Sequence, residues 1–358
     1  MDNEKYISFD PWWGGFSNVR ISYELAIAIS IITNRTLILP PKVYCFFLST
    51  HTDKNTFINM WDFFDYDKFS SNIKCINYED VIDYRNLESE TQYYDNVESI
   101  ANCIIFDGNN SKWSPNLAIK QNQILVSTIE NQKDFDEFSL NRNIVNLNLN
   151  DKYIHFPRNL FGHFYYHVYG RTIQERNLIK DKIKNSMVYK LRYYDIAYKI
   201  KEKLGSYNSI HIRRNDFLYV RKSYVDDQSK ILLSKLLTTV DVNLPLYIAS
   251  DETNRSFFDF LKKHYNIFFL ENIVDNISDR DSMVVDQLVC SESDIFLGSR
   301  LSTYSDYINI LRGYSNKKDF HREGTNFKLP TLTYKKYPWE VEPYGWENIH
   351  KTCWINEV

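Results

Sequence analysis

The chain has 358 residues, more than one small core needs and enough for two domains. With 43% hydrophobic and 25% charged residues it has the composition of a globular protein, which excludes a disordered or fibrous one. A net charge of −3 leaves no broad basic field, so nucleic acid is not an expected partner.

The first five residues are polar, and no basic segment followed by an apolar one marks a secretory signal, so the expected compartment is the cytoplasm. Residues 6–9 predict a strand, and 10–16 a turn containing Asp10, Gly14 and Gly15. Ser17 or Asn18 is the expected N-cap of a helix running to about residue 33, with apolar positions Val19, Ile21, Leu25, Ala28, Ile29 and Ile32 near a 3.6 period. Asn34 and Arg35 end it, and 36–39 form a second buried strand stopped by Pro40 and Pro41. The longest apolar run, 25–32, is far shorter than the ~20 residues a membrane span requires.

Residues 58–69 predict a short helical or irregular cap, and 70–155 alternate short strands with Asn-rich loops whose order the pattern leaves open. From 176 onward the reading is regular. A helix is expected at 176–204, a strand at 209–213, a helix at 229–240, a strand at 246–250, a helix at 254–265 and a strand at 268–270. A helix at 283–291 with Asp286 near its start, a strand at 294–298 and a helix opening at Ser302 complete it. Alternation of this kind implies parallel strands with crossover connections. The Cys residues at 45, 75, 103, 290 and 353 are odd in number and lack CxxC spacing, which favours buried thiols over a zinc site or a disulfide framework.

Three segments carry chemistry. In 13–20 the glycines Gly14 and Gly15, followed by Phe16, Ser17 and Asn18, lie between strand and helix, where backbone approaches a ligand closely and a helix N-terminus faces negative charge. A tight turn explains the same pattern. His211-Ile212-Arg213-Arg214 ends a strand in charge. A guanidinium there matches phosphate oxygens, and open α/β sheets bind ligands outside the carboxyl ends of their strands. The alternative is a strand followed by a solvated loop. Asp286, inside an apolar helix, needs a partner, which a guanine edge, a salt bridge or a neighbouring loop would supply. Ser302, Thr303 and Tyr304 open a helix and offer hydroxyls and N–H groups to phosphate.

Taken in order, GGFSNVR, NRTLILPP, HIRRND, IASDE and VVDQLVCSESDIFLGSRLSTYS resemble the GDP-fucose-dependent fucosyltransferases. The likeness is greatest to the protein O-fucosyltransferases, in particular the branch that modifies thrombospondin-type repeats. It covers 6–41 and 207–315 well. The resemblance implies an α/β GT-B glycosyltransferase fold, two Rossmann-like domains facing a cleft. Residues 1–165 would be the acceptor side, 166–330 the donor side and 331–358 a tail packing back on the body. It implies inverting, metal-independent transfer of L-fucose from GDP-β-L-fucose to a glycan or protein hydroxyl, with GDP-fucose and the acceptor as the partners and no cofactor. By the same likeness Arg213 holds the β-phosphate and His211 contacts the nucleotide. Asp286 reads guanine, Ser302, Thr303 and Tyr304 bind phosphate and nucleoside, and the loop from Gly14 to Asn18 lines the donor. The thrombospondin branch has a Glu at the position of Gly14, proposed there as the base. Without it, Asp10 is the nearest candidate base, its other reading being a turn-former before Pro11. GDP-mannose as donor, or binding of a nucleotide sugar without transfer, are the alternative readings.

Overall fold

The computed structural model describes residues 4–9, 11, 15–40, 43–45, 56–77, 80, 103–105, 153–156, 173–214, 228–299 and 302–315. Their contacts divide into two units, with the chain passing from the first to the second between Val188 and Tyr189.

The first unit is built on a parallel sheet. β1 (Tyr6–Phe9), β2 (Thr36–Leu39), β5 (Cys75–Asn77), β6 (Cys103–Ile105) and β7 (Tyr153–Phe156) lie in the order β5-β2-β1-β7-β6. A short antiparallel pair, β3 (Val43–Cys45) and β4 (Thr56–Ile58), stands apart. Between β1 and β2 runs α1 (Phe16–Thr33), buried on nearly every face, as a helix apolar all round must be. Its N-cap is Gly15, with no side-chain cap, so neither Ser17 nor Asn18 takes the expected capping position. It ends at Asn34 in the left-handed region (φ 51°), where Asn is tolerated and the N–H closes on the carbonyls of Ile31 and Ser30. Residues 60–72 resolve into a 3₁₀ turn (Met60–Asp62) and α2 (Tyr66–Asn72), each N-capped by a side chain, Asn59 and Asp65.

α3 (Ile173–Ser186) packs on α1 and α2 and so belongs to the first unit, although the sequence reading assigned 166–188 to the second. The single helix expected at 176–204 is two, α3 and α4 (Leu191–Leu204). The break has a tertiary cause. The Met187 carbonyl accepts from Arg20 Nη2 (2.7 Å) and the Val188 carbonyl from the Asp65 N–H (2.9 Å), so neither continues a helix.

The second unit holds a four-stranded parallel sheet of β8 (Asn208–Ile212), β9 (Leu246–Ser250), β10 (Ile267–Phe268) and β11 (Phe296–Gly298) in the order β10-β9-β8-β11. Its helices are α4, α5 (Gln228–Thr239), α6 (Asp279–Glu292) and α7 (Thr303–Tyr314). The core on one face gathers Ile210, Ile212, Leu236, Ile248, Phe258 and Leu261. On the other, α6 packs against α4 and α7. Residues 254–265 are not the expected α-helix. A 3₁₀ segment (Arg255–Phe258), its Asn254 cap accepting from the Ser256 N–H, leads into turns that bury Phe258, Leu261 and Tyr265. Arg312 of α7 is fully buried and reaches back to the end of α6, donating to the carbonyls of Cys290, Ser291, Ser293 and Asp294. Among the described residues no helix is long and apolar enough to cross a membrane.

Candidate functional site

The sheet of the second unit reverses its order at β8. The strand that follows β8, β9, lies on one side, and β11 lies on the other. In an open parallel sheet the connections leave a crevice at such a point, outside the carboxyl ends of the two strands. What stands at that edge follows from the register, which pairs Gly298 with His211.

Ser299 joins the two strand ends. Its Oγ donates to the His211 carbonyl (3.0 Å) and accepts from the Arg213 N–H (2.9 Å), replacing the ladder where the strands stop. Ser302 N-caps α7, its side chain accepting from the Ser305 N–H. Ser305 Oγ is then hydrogen-bonded to His211 Nδ1 at 2.7 Å. This approach needs Gly298, because a Cβ there would lie 2.6 Å from the Ser305 Cβ. Tyr304 stands beside the imidazole, ring centroids 4.5 Å apart, and its hydroxyl donates to the Met283 carbonyl of α6 (2.6 Å). Thr303, the first residue of α7, is partly exposed.

His211 is buried, and burial together with the charge of Arg213 pushes its pKa down to about 3. The ring is therefore neutral at physiological pH, with Nδ1 engaged by Ser305. The two arginines that follow have different surroundings. The Arg214 N–H donates to Asp251 Oδ1 (2.7 Å), its Nε donates to Glu252 Oε2 (2.5 Å), and its guanidinium lies 3.8 Å from the Phe257 ring centroid. Arg214 thus binds the end of β8 to the end of β9. Arg213 is partly buried at the mouth of the β8 edge.

Asp286 lies in the middle of α6 rather than near its start, since the helix begins at a Ser278 cap that accepts from the Asp281 N–H. Its Oδ1 accepts from the hydroxyl of Tyr247 on β9 at 2.5 Å. The residue keeps some exposure, yet burial of its carboxyl raises the pKa to about 7. The Tyr247 hydrogen bond opposes that rise, Glu271 adds to it and Arg255 opposes it. Tyr247 and Ser299 were not singled out from the sequence, and Ser305 only as part of the segment that opens α7, with no role of its own. A tyrosine in an apolar strand reads as core, and only its hydroxyl, which must find a partner when buried, signals more.

In the first unit the predicted residues have other surroundings. Phe16 and Ser17 are both buried. The Phe16 ring packs on Phe63 and Phe64, at 4.9 Å and 5.9 Å between centroids. Asn18 is partly buried and accepts the Ser22 hydroxyl on its carbonyl (3.1 Å). Gly15 has open space where a Cβ would stand. Asp10 and Gly14 lie outside the described residues. Among the described residues, no three His, Cys, Asp or Glu side chains gather to hold a metal ion.

Comparison with known proteins gives the family and the fold. The family model described as GDP-fucose protein O-fucosyltransferase matches residues 6–315. A relative from Plasmodium falciparum (isolate NF54), GDP-fucose protein O-fucosyltransferase 2, is 24% identical over 359 residues, covering 88% of this chain and 74% of the relative. Among solved structures, POFUT1 in complex with GDP aligns with a TM-score of 0.52 at 14% identity, over 87% of this chain and 95% of POFUT1. The fucosyltransferase NodZ from Bradyrhizobium aligns with a TM-score of 0.51 at 12% identity, over 86% and 92% of the two chains. At such identities the structural likeness concerns the fold.

Proposed function

The chain belongs to the GDP-fucose protein O-fucosyltransferase family, and from that premise we propose that it transfers L-fucose from GDP-β-L-fucose to a hydroxyl of a glycan or of a protein Ser or Thr. The transfer is inverting and metal-independent, on a GT-B fold whose second unit holds the donor. The observation that carries this reading is the edge of that unit's sheet, where His211, Arg213, Ser299, Ser302 and Ser305 meet at the reversal of strand order.

Cleaving the bond between fucose and phosphate builds positive charge on the sugar and negative charge on departing GDP. Arg213 stands on the β-phosphate and stabilises that developing charge, a guanidinium acting where other enzymes use a metal. His211, neutral, contacts the nucleotide without adding a second charge. The N-terminus of α7, with Thr303 and Tyr304, faces the phosphates and nucleoside. Ser302 supports that helix end as its cap. Asp286 accepts the N1–H and N2–H donors of guanine. In the first unit the family resemblance gives the loop of Gly14, Gly15, Phe16, Ser17 and Asn18 a donor-lining role and makes Asp10 the candidate base for the acceptor hydroxyl.

The test is calorimetric titration with GDP-fucose, GDP-mannose, UDP-glucose and GDP, with and without EDTA, on the wild type and Arg213→Ala. The expected result is selective binding of GDP and GDP-fucose that EDTA leaves unchanged and the variant weakens. Folded protein that binds no guanine nucleotide overturns the reading.

A further inference from the structure

The Asp286 carboxylate is half of a pair. Its Oδ1 already accepts from Tyr247, whose side chain is fully buried in β9. A phenylalanine would fill that space without burying a hydroxyl, which costs stability unless it is hydrogen-bonded. The hydroxyl therefore has use only through its partner. We infer that Tyr247 is a positioning and specificity-determining residue for the guanine base, fixing the plane of the Asp286 carboxylate so that both oxygens meet the base edge. This rests on the assignment of Asp286 to guanine made above.

The chemistry runs as follows. An ionised carboxylate has about four lone-pair positions, so one donor from Tyr247 leaves capacity for two parallel N–H donors from a base. Guanine offers two such donors on one edge, whereas adenine presents an acceptor there. Tyr247 also favours the ionised form, the form that can only accept. Around the carboxyl stand Tyr247 from β9, Cys290 from the same helix and Tyr304 from α7. Glu271 and Arg255 act on it from the two 3₁₀ segments, Leu270–Asn272 and Arg255–Phe258. Of these, Tyr247 is the one hydrogen-bonded to the carboxylate, and Glu271 opposes ionisation while Arg255 favours it. Because burial holds the free carboxyl near neutrality, guanine binding completes its ionisation and releases a proton.

The experiment measures binding of GDP, ADP and pyrophosphate by calorimetry from pH 5.5 to 8.5 in wild type, Tyr247→Phe and Asp286→Asn. Wild-type affinity for GDP should rise with pH to a plateau above about 7, with proton release on binding. Tyr247→Phe should weaken GDP roughly tenfold or more at pH 7 and move the midpoint up by roughly one unit. The loss should shrink at pH 8.5, with the preference for GDP over ADP reduced and pyrophosphate binding unchanged. Asp286→Asn should weaken GDP at every pH and abolish the slope. A Tyr247→Phe protein that matches wild type in affinity and midpoint, beside a weakened Asp286→Asn, overturns the role of Tyr247 and leaves the base assignment standing. Wild-type-like GDP binding by Asp286→Asn overturns both. If Tyr247→Phe fails to fold, the wild-type titration decides, and a GDP affinity independent of pH overturns the inference.

Discussion

In the first unit two buried charges, Arg20 and Glu24, close on each other one helical turn apart at 3.1 Å, and Arg20 also lies over the Phe64 ring. In the second, His211 and Asp286 each meet a hydroxyl instead, from Ser305 and Tyr247. An ion pair one turn apart joins two side chains of the same helix. In the second unit burial displaces the pKa of both, down for His211 with the charge of Arg213 adding to the shift, and up for Asp286 with the Tyr247 hydrogen bond opposing it. The contrast separates a scaffold from a site within one polypeptide.

Removing one partner of the self-contained pair should have the largest effect. Glu24→Ala removes the carboxylate paired with the buried Arg20 guanidinium and should cost about 3–5 kcal/mol of stability, read by denaturant unfolding. A pair of apolar replacements at both positions should recover most of that, and failure to recover it would break the comparison. Arg213→Ala should do the reverse, leaving the unfolding midpoint near wild type and lowering fucose transfer by the equivalent of about 2.7–4 kcal/mol. Turnover retained in that variant would remove Arg213 from the mechanism. Gly298→Ala should cost about 1–3 kcal/mol, because the new methyl must displace Ser305 from His211, and it should weaken GDP binding as well.

The smallest effects are slopes against pH, and they have opposite signs. The His211 pKa falls from 6.5 to about 3 on folding, so its contribution is complete above 6.5 and is lost as pH falls towards 3. The Asp286 pKa rises from 3.8 to about 7, so its contribution is complete below 3.8 and is lost as pH rises through 7. Asp286→Asn should flatten the stability profile between pH 4 and 7, and His211→Gln should flatten it on the acid side. Urea midpoints taken across that range check both.

The sequence made some of this visible for physical reasons. Strand β8 ends at Ile212, just before Arg213, because buried residues stop there, and α7 opens after Ser302 because a serine before a helix caps it. Those signals are local. The break between α3 and α4 is not, since no Gly or Pro marks it. Arg20 and Asp65, more than a hundred residues earlier, draw off the carbonyls of Met187 and Val188. The turns at residues 254–265 were hidden because Phe258, Leu261 and Tyr265, the residues buried there, keep the spacing that an α-helix would also give. Tyr247 was the least legible, its role residing in one hydroxyl that faces a helix encountered 39 residues later.

Arg312 has a consequence for how this chain comes off the ribosome. Four carbonyls at the end of α6 accept from a single guanidinium that is synthesised 18 to 22 residues after them. Until that residue emerges, the carbonyls at the C-terminal end of α6 lack this donor. The second unit therefore matures late, and a fragment ending before position 312 should behave as a nascent chain still waiting for its final clasp.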